Sequence, residues 1–233
     1  MSSHSSTEPV GVLLSGGLDS VILLSHLLAQ GETVRPFYIR TGVVWEHAER
    51  RAVHDYLAAV ALPLLLPLVE FELPLADIYE QHWSLDGRDV PDAASPDEAV
   101  FLPGRNALLL LKPAIWCQRH GISRLALGPL ASNPFPDARP EFFASLEETI
   151  RLSNPVPLRI LRPFGELRKI DVMRLGRELP LQHTWSCIAP VRDLQEQHRH
   201  CGQCNKCAER QRAFADAGLE DPTQYSQLKT QNS

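Results

Sequence analysis

The sequence has no apolar run approaching the ~18 residues that a membrane-crossing helix needs. It has no basic excess either. Twenty-three Lys and Arg stand against 28 Asp and Glu, for a net charge of −5, so the general footprint of a nucleic-acid binder is missing. Residues 1–8 are polar and hold no apolar core for a secretory signal, which makes a cytoplasmic enzyme the expectation. The glycine turn near the N-terminus is not followed by a Lys-Ser or Lys-Thr pair, which excludes a Walker-type phosphate loop. Cysteine is scarce, and four of the five (Cys187, Cys201, Cys204, Cys207, but not Cys117) crowd into one C-terminal stretch. In a reducing compartment that clustering favours metal over disulfides.

What is there suits one globular domain, or one domain with a small appendage: 233 residues, 44% hydrophobic and 22% charged. The organising stretch is Val10-Gly-Val-Leu-Leu14-Ser15-Gly16-Gly17-Leu18-Asp19-Ser20. It predicts a short apolar strand, a tight glycine turn and a helix over residues 19–30, closed by Gly31. Such a turn points free backbone N–H groups and the positive end of a helix dipole at one spot. Gly16 and Gly17 let an anion approach the backbone closely, and Ser15 and Ser20 add hydroxyls. The alternative is a structural turn that binds nothing.

Further along, residues 33–39 predict a second strand, 45–61 a helix and 64–70 a buried strand weakened by Pro67. On the helix, Ala48, Ala52, Tyr56, Ala59 and Val60 form the apolar face; Glu46, Glu49, Arg50 and Arg51 read as a solvated one. Alternating strands and helices predict a mainly parallel, doubly wound α/β sheet. Residues 84–99 break the pattern and read as a lid or a disordered loop. Residues 129–140 form a second, proline-rich loop after the strand Leu125-Ala126-Leu127, at the carboxyl edge where open α/β sheets bind ligands. Between the loops, Gly104, Arg105 and Asn106 open a long apolar helix, kinked or marked in its first turns by Pro113, and would welcome an anion. Cys117 on that helix reads as a buried, inert thiol. A helix over 142–153, a strand over 158–161 and a short helix over 167–176 follow. Lys169 is a phosphate ligand or a surface lysine.

The second signal is Cys201-Gly-Gln-Cys204-Asn-Lys-Cys207, preceded by Cys187 with 13 residues between. Two-residue spacers turn successive thiolates around one ion, and the remote cysteine closes the set. Four thiolates suit structural zinc; an iron–sulfur cluster is the competitor, and His198 or His200 could replace one ligand. Cys207 should lie in the first turn of a last helix ending near residue 217. Residues 193–206 are almost wholly polar, which leaves little apolar sequence to form a core there.

Ser15-Gly-Gly-Leu-Asp-Ser20 resembles the pyrophosphate loop of the ATP pyrophosphatase (PP-loop) superfamily, whose members cleave ATP between its α and β phosphates. Taken with Leu102-Pro-Gly-Arg-Asn106, Pro136-Asp-Ala-Arg-Pro-Glu-Phe142, Thr184-Trp-Ser-Cys187 and the His200–Cys207 run, the chain is similar to the 7-cyano-7-deazaguanine synthase family. That resemblance spans roughly residues 10–222. It implies an adenine-nucleotide alpha-hydrolase sheet over residues 10–180, a zinc-bound helical segment over 181–222, a free N-terminus over 1–9 and a polar tail over 223–233. It implies a C–N ligase that uses ATP and Mg²⁺ to turn 7-carboxy-7-deazaguanine and ammonia into the nitrile, through an adenylate and an amide, releasing AMP and pyrophosphate. Leu14 to Ser20 with Gly104, Arg105 and Asn106 would hold the nucleotide. Ser15, Asp19, Arg105 and Lys169 would be catalytic, with Asp19 a candidate Mg²⁺ ligand. Asp137, Arg139, Phe142 and Trp185 would face the deazaguanine, and Cys187, Cys201, Cys204 and Cys207 would hold Zn²⁺.

No nucleic acid or membrane partner is implied, and a homodimer is left open. Two departures bear on the substrate. Residues 40–46 replace the family's usual Gly-Gln-Arg-His-like run, and Ala138 stands where the family usually has cysteine. A divergent amide ligase or conjugating enzyme, and a tRNA thiolase carrying an iron–sulfur cluster, are the other readings.

Overall fold

The computed structural model describes residues 8–226; the expected free N-terminus (residues 1–7 of it) and residues 227–233 of the tail lie outside the described residues. The elements run β1 (Val10–Leu13), α1 (Leu18–Ala29), β2 (Val34–Arg40), α2 (Glu46–Ala59), β3 (Val69–Glu72), the single turns α3 (Ala76–Tyr79) and α4 (Trp83–Asp86), then α5 (Arg105–Arg119), β4 (Arg124–Ala126), α6 (Pro140–Ser153), β5 (Arg159–Leu161), α7 (Lys169–Leu175), β6 (Val191–Arg192), β7 (His198–Arg199) and α8 (Asn205–Ala217).

The first five strands make one parallel sheet in the order β3-β2-β1-β4-β5. Alternation along β1 sets its two faces. Val10, Val12 and Leu14 point into a core with α1, α2, α7 and α8, while α5 and α6 cover the other face through Phe37, Leu110, Leu125, Phe143 and Ile160. Helices on both faces are the doubly wound arrangement that the alternation of strands and helices predicts. Among the described residues no helix is long and apolar enough to cross a membrane.

Two expectations need correction. The strand expected at 64–70 is displaced: pairing with β2 begins at Val69, and Leu65 makes only an isolated bridge to Val34. Pro67 has no N–H to give the ladder, and its carbonyl accepts from the Arg35 side chain instead, at 2.7 Å. The 84–99 segment is bonded down. Ala93 donates to the Gln203 carbonyl at 2.8 Å, Asn205 donates to the Pro91 carbonyl at 2.9 Å, and the Asn205 side chain reaches the Ser95 carbonyl at 2.9 Å. The reason lies some 110 residues away in sequence, in the segment that holds the cysteines.

Gly11, in the middle of the sheet, is a packing requirement. A Cβ there would stand 2.7 Å from Phe37 Cε2 and 3.1 Å from both Cys117 Sγ and Leu125 Cδ1. Gly11→Ala should therefore destabilise by about 1–3 kcal/mol, the usual scale for overpacking a core, read as a lower denaturant midpoint with unchanged slope. Parental stability would mean that α5 can slide away from β1.

Candidate functional site

β1 ends at the carboxyl edge of the sheet, beside β4, where the strand order reverses. Residues 14–17 turn there into α1. Gly16 has φ +73°, a left-handed conformation that glycine adopts without a Cβ penalty. The first helical bond runs from Val21 N–H to the Gly17 carbonyl, so the amides of Leu18, Asp19 and Ser20 precede any carbonyl the helix can offer. The two serines brace the turn: Ser20 Oγ donates to the Gly17 carbonyl at 3.0 Å, accepts from Ser15 N–H at 3.2 Å and meets Ser15 Oγ at 3.1 Å. From the far end of the chain, Trp185 N–H donates to the Gly16 carbonyl at 2.8 Å.

The cleft around this turn is continuous. A cavity of about 220 Å³ is lined by Leu14, Ser15, Tyr38, Glu49, Arg105 and Asn106. Another of about 210 Å³ is lined by Gly17, Leu18, Lys169, Trp185, Lys206 and Glu209; Ser15, Asp19, Ser20, Glu49 and Arg105 border both. A third of about 140 Å³ extends along Gly128, Asn133 and Phe135. A further hollow of about 390 Å³ lies behind Trp185, against His198, His200 and Arg210, and does not reach the turn.

Charges in the cleft are mostly paired. Lys169 Nζ donates to both oxygens of Asp19, at 2.8 and 2.9 Å, and stands 3.7 Å from Glu209, which Lys206 holds at 2.6 Å. Burial opposes the Lys169 charge, but Asp19 and Glu209 outweigh it and hold its pKa above the usual lysine value. Burial likewise opposes ionised Glu209, and Lys206 and Lys169 hold that carboxyl below its usual range. Arg105 is different: its Nε is buried without a partner among the described residues. Glu49 is different again. Burial pushes its carboxyl up to about 7, against the pull of Arg105 and of the Tyr38 hydroxyl that donates to it at 2.9 Å. The reading of Glu49 as part of a solvated face is thus corrected: α2 turns it toward the glycine turn, where it lines the cleft.

Lys206, Glu209, Glu49 and Tyr38 were not singled out from sequence as site residues. The signal for Lys206 was its place inside Cys204-Asn-Lys-Cys207, one turn before Glu209.

The other expected residues are distributed as follows. Gly104 caps α5, and Asn106 binds Asp137 twice: backbone N–H to Oδ2 at 3.1 Å and side-chain amide to the carbonyl at 2.8 Å. Asp137 is buried there, outside the cavities described, and Arg139 is exposed at the start of α6. Phe142 packs on Phe143, ring centroids 5.3 Å apart. Trp185 is buried against His200, 4.1 Å between centroids, and walls the cleft.

Cys187, Cys201, Cys204 and Cys207 are buried, unbridged, and bring their sulfurs within 4.8 Å of one another, a set that could hold one metal ion. The Cys201–Cys207 and Cys187–Cys204 sulfur separations are both 3.9 Å, close to the ~3.8 Å edge of a tetrahedron built on metal–sulfur bonds of about 2.3 Å. Cys201 N–H donates to Cys187 Sγ at 3.3 Å, and Cys204 N–H to Cys201 Sγ at 3.3 Å, contacts that favour thiolates. His200 is no ligand. Its Nε2 accepts from Ser186 N–H at 3.2 Å, and burial, helped by Arg210, pushes its pKa down to about 3. His198 packs at a tilt against His47 instead, 5.0 Å between centroids. Contrary to the polar 193–206 sequence, an apolar cluster does surround the cysteines: Val43, Trp45, Ala48, Val100, Trp185 and Ile188, gathered from distant parts of the chain. Cys204 caps α8 and Cys207 lies in its first turn, as expected. Cys117 is fully buried, and burial pushes its thiol up to about 12.

The chain matches a family model described as queuosine biosynthesis protein QueC over residues 10–218. Among curated relatives, the 7-cyano-7-deazaguanine synthase of Thermoplasma acidophilum is 28% identical over 240 residues, covering 94% of this chain and 92% of that protein. The synthase of the same name from Nostoc sp. is 30% identical over 233 residues, covering 94% and 97%. Among solved structures, a predicted subunit of a tRNA methyltransferase from Methanocaldococcus jannaschii overlays with a TM-score of 0.49 at 16% identity, covering 96% of this chain and 94% of that one.

Because three of the four sulfurs sit on or beside the start of α8, Cys204→Ser should lower metal content, melting temperature and soluble yield together. Activity should fall in proportion to folded protein. A variant that loses metal and activity at an unchanged melting temperature would make the ion catalytic.

Proposed function

The chain belongs to the QueC family of queuosine biosynthesis proteins, a family of ligase-type enzymes, and on that premise we propose that it converts 7-carboxy-7-deazaguanine, ammonia and ATP into 7-cyano-7-deazaguanine. A carboxylate is a poor electrophile until one oxygen becomes a leaving group. In this reading the acid attacks the α-phosphorus of ATP, pyrophosphate departs, and ammonia displaces AMP to give the amide. A second ATP activates the amide oxygen, and loss of AMP leaves the nitrile.

Arg105 carries the reading. A guanidinium whose buried Nε has no partner among the described residues faces the same cleft as the free amides at the start of α1. Together they suit the charge that develops on departing pyrophosphate. Lys169 would supply a second cation at the same end. Asp19 would hold Mg²⁺ by giving up part of its hold on Lys169, and the ion would supply positive charge against the phosphates. Asp137, with one oxygen engaged by α5, would use the other on the guanine-type N–H edge, with Arg139 at the start of α6, Phe142 in its first turn and Trp185 on the cleft wall as the further substrate contacts. Four thiolates in a closed, buried tetrahedron suit structural Zn²⁺. The substrates are small and diffusible, so the reaction needs neither nucleic acid nor membrane, and the cytoplasm is its compartment.

The divergent 40–46 segment bears on the choice of substrate. It is bonded both within itself and to its neighbours: Arg40 also pairs with Glu72 at 2.7 Å, Val44 N–H donates to the Ser84 carbonyl at 2.9 Å, and the Thr41 carbonyl accepts from Leu75 N–H at 3.0 Å. Glu46 pairs with Arg40 at 3.2 Å and accepts from Gly42 N–H at 2.7 Å, while Val43 and Trp45 pack around the cysteines. Trp45 also borders the cleft, so the divergence would reach the pocket through that one side chain and otherwise alter the scaffold beside it.

Incubation with ATP, Mg²⁺, ammonium and the acid should yield amide and nitrile by mass spectrometry, with AMP and pyrophosphate as the nucleotide products. ADP as the main product would remove the reading. Asp19→Ala, which frees Lys169, should cost about two decades or more in rate, the scale of a lost preorganised electrostatic contact, while leaving the fold intact.

A further inference from the structure

Among the carboxylates in or beside the cleft, Asp19 is held by Lys169, Glu209 by Lys206, Asp137 caps α5, and Asp97 accepts from the Asn205 amide at 3.4 Å. Among the described residues no lysine or arginine nitrogen lies within 4.0 Å of Glu49. Its one side-chain hydrogen bond of ordinary geometry comes from Tyr38, on Oε2. It stands over the phosphate turn: a Cβ on Gly16 would lie 3.7 Å from Glu49 Cγ and 3.2 Å from its carbonyl oxygen. It also borders both cavities that meet at Ser15 and Ser20.

We propose that Glu49 is the general base that takes protons from the substrate nitrogen in both halves of the reaction, an assignment that rests on the function proposed above. In the first half, the ammonia lone pair forms the C–N bond while the acyl C–O bond breaks and its electron pair leaves on AMP. The nitrogen then sheds one proton to Glu49, leaving the neutral amide. In the second half, the activated amide must lose two N–H protons as its C–O bond breaks and the triple bond forms. Glu49 takes them in turn and passes each to solvent. No oxidant or further reactant is needed.

The surroundings fit that work. The groups facing the carboxyl are Arg105 on α5, Tyr38 on β2, Glu46 on its own helix and the Trp45 side chain just before that helix. Burial and Glu46 push it up, while Arg105, Tyr38 and Trp45 pull it down, and the balance falls at about 7 against an ordinary 4.5. A base is most effective when its pKa lies near the working pH.

Glu49→Gln keeps the Tyr38 contact and removes the base. Amide and nitrile formation should fall about 10²–10⁴-fold, the usual range for a lost general base. Exchange of labelled pyrophosphate into ATP, dependent on the deazaguanine acid, should be unchanged, since adenylation moves no proton through Glu49. Tyr38→Phe removes a donor to the ionised carboxylate and should move the acidic limb of the pH–rate profile upward. The Gln variant should also melt higher than the parent at about pH 8 and alike at about pH 4, because the penalty for ionising a buried carboxyl grows between its unfolded and folded pKa values. Wild-type amide formation in Glu49→Gln, an unmoved acidic limb in Tyr38→Phe, or loss of exchange in parallel with turnover would overturn the role of Glu49. Absence of acid-dependent exchange in the parent enzyme would instead overturn the function on which it rests.

Discussion

The first turn of α1 carries amides that no helix carbonyl can reach, and they must stay unpaired yet aimed at one point. The residues around them meet that constraint. Gly16 takes a left-handed φ so that the chain can double back. The serine hydroxyls bond to the turn and so fix it from within. The carbonyl of Gly16 is claimed by Trp185, more than 160 residues later, and so cannot fold over the amides it precedes. An exposed turn of this kind would gain little from one hydrogen bond, about 0.5–1.5 kcal/mol net. Here the bond fixes a direction for several donors at once.

The Trp185 contact makes the C-terminal segment part of the site. Trp185 lies two residues before Cys187, and its indole donates to the Cys187 carbonyl at 2.7 Å. Arg210, almost fully buried on α8, binds Thr184 Oγ1 at 2.8 Å, Ser186 Oγ at 3.2 Å and the Leu181 carbonyl at 3.2 Å. The same helix carries Lys206 and Glu209 to the neighbourhood of Asp19. One metal-sized cluster therefore orders a backbone donor, an aromatic wall and an ion-pair network together. The described start of the tail closes the back of this assembly, with Ser226 N–H on the His200 carbonyl at 2.7 Å and Tyr225 Oη on Asp221 at 2.6 Å.

Local signals in the sequence carried the strand–turn–helix at residue 10, the helix opened by Arg105 and the cysteine spacing, because each depends on neighbours within a few residues. Glu49 was hidden by its charge, although its position was readable. Residues 49, 52, 53 and 56 are one helical stripe, and Ala52, Val53 and Tyr56 are all buried. Counting apolar residues alone assigns such a carboxylate to water; counting positions puts it against the core. The displaced β3 and the anchored 84–99 segment were not readable in that way. Their partners, Arg35 and residues 203–205, are remote in sequence, and only the assembled fold supplies the bonds that decide them.

The proposed function asks a chain of net charge −5 to hold a polyanion. Net charge governs the distant field and is screened within about 8–10 Å at ordinary ionic strength. Binding depends on what lies within the cleft. Lys169 and Lys206 arrive there already matched by Asp19 and Glu209, so no unpaired cation is desolvated in this partly buried site. The surplus toward a phosphate comes from Arg105 and from the α1 amides, which carry partial charge and need no counter-ion when the site is empty. The paired lysines can lend their remaining N–H groups to a bound anion without leaving their partners. A cleft built this way is close to neutral at rest and positive only in the directions its donors face, so under the proposed function it would select for a well-placed phosphate over negative charge in general.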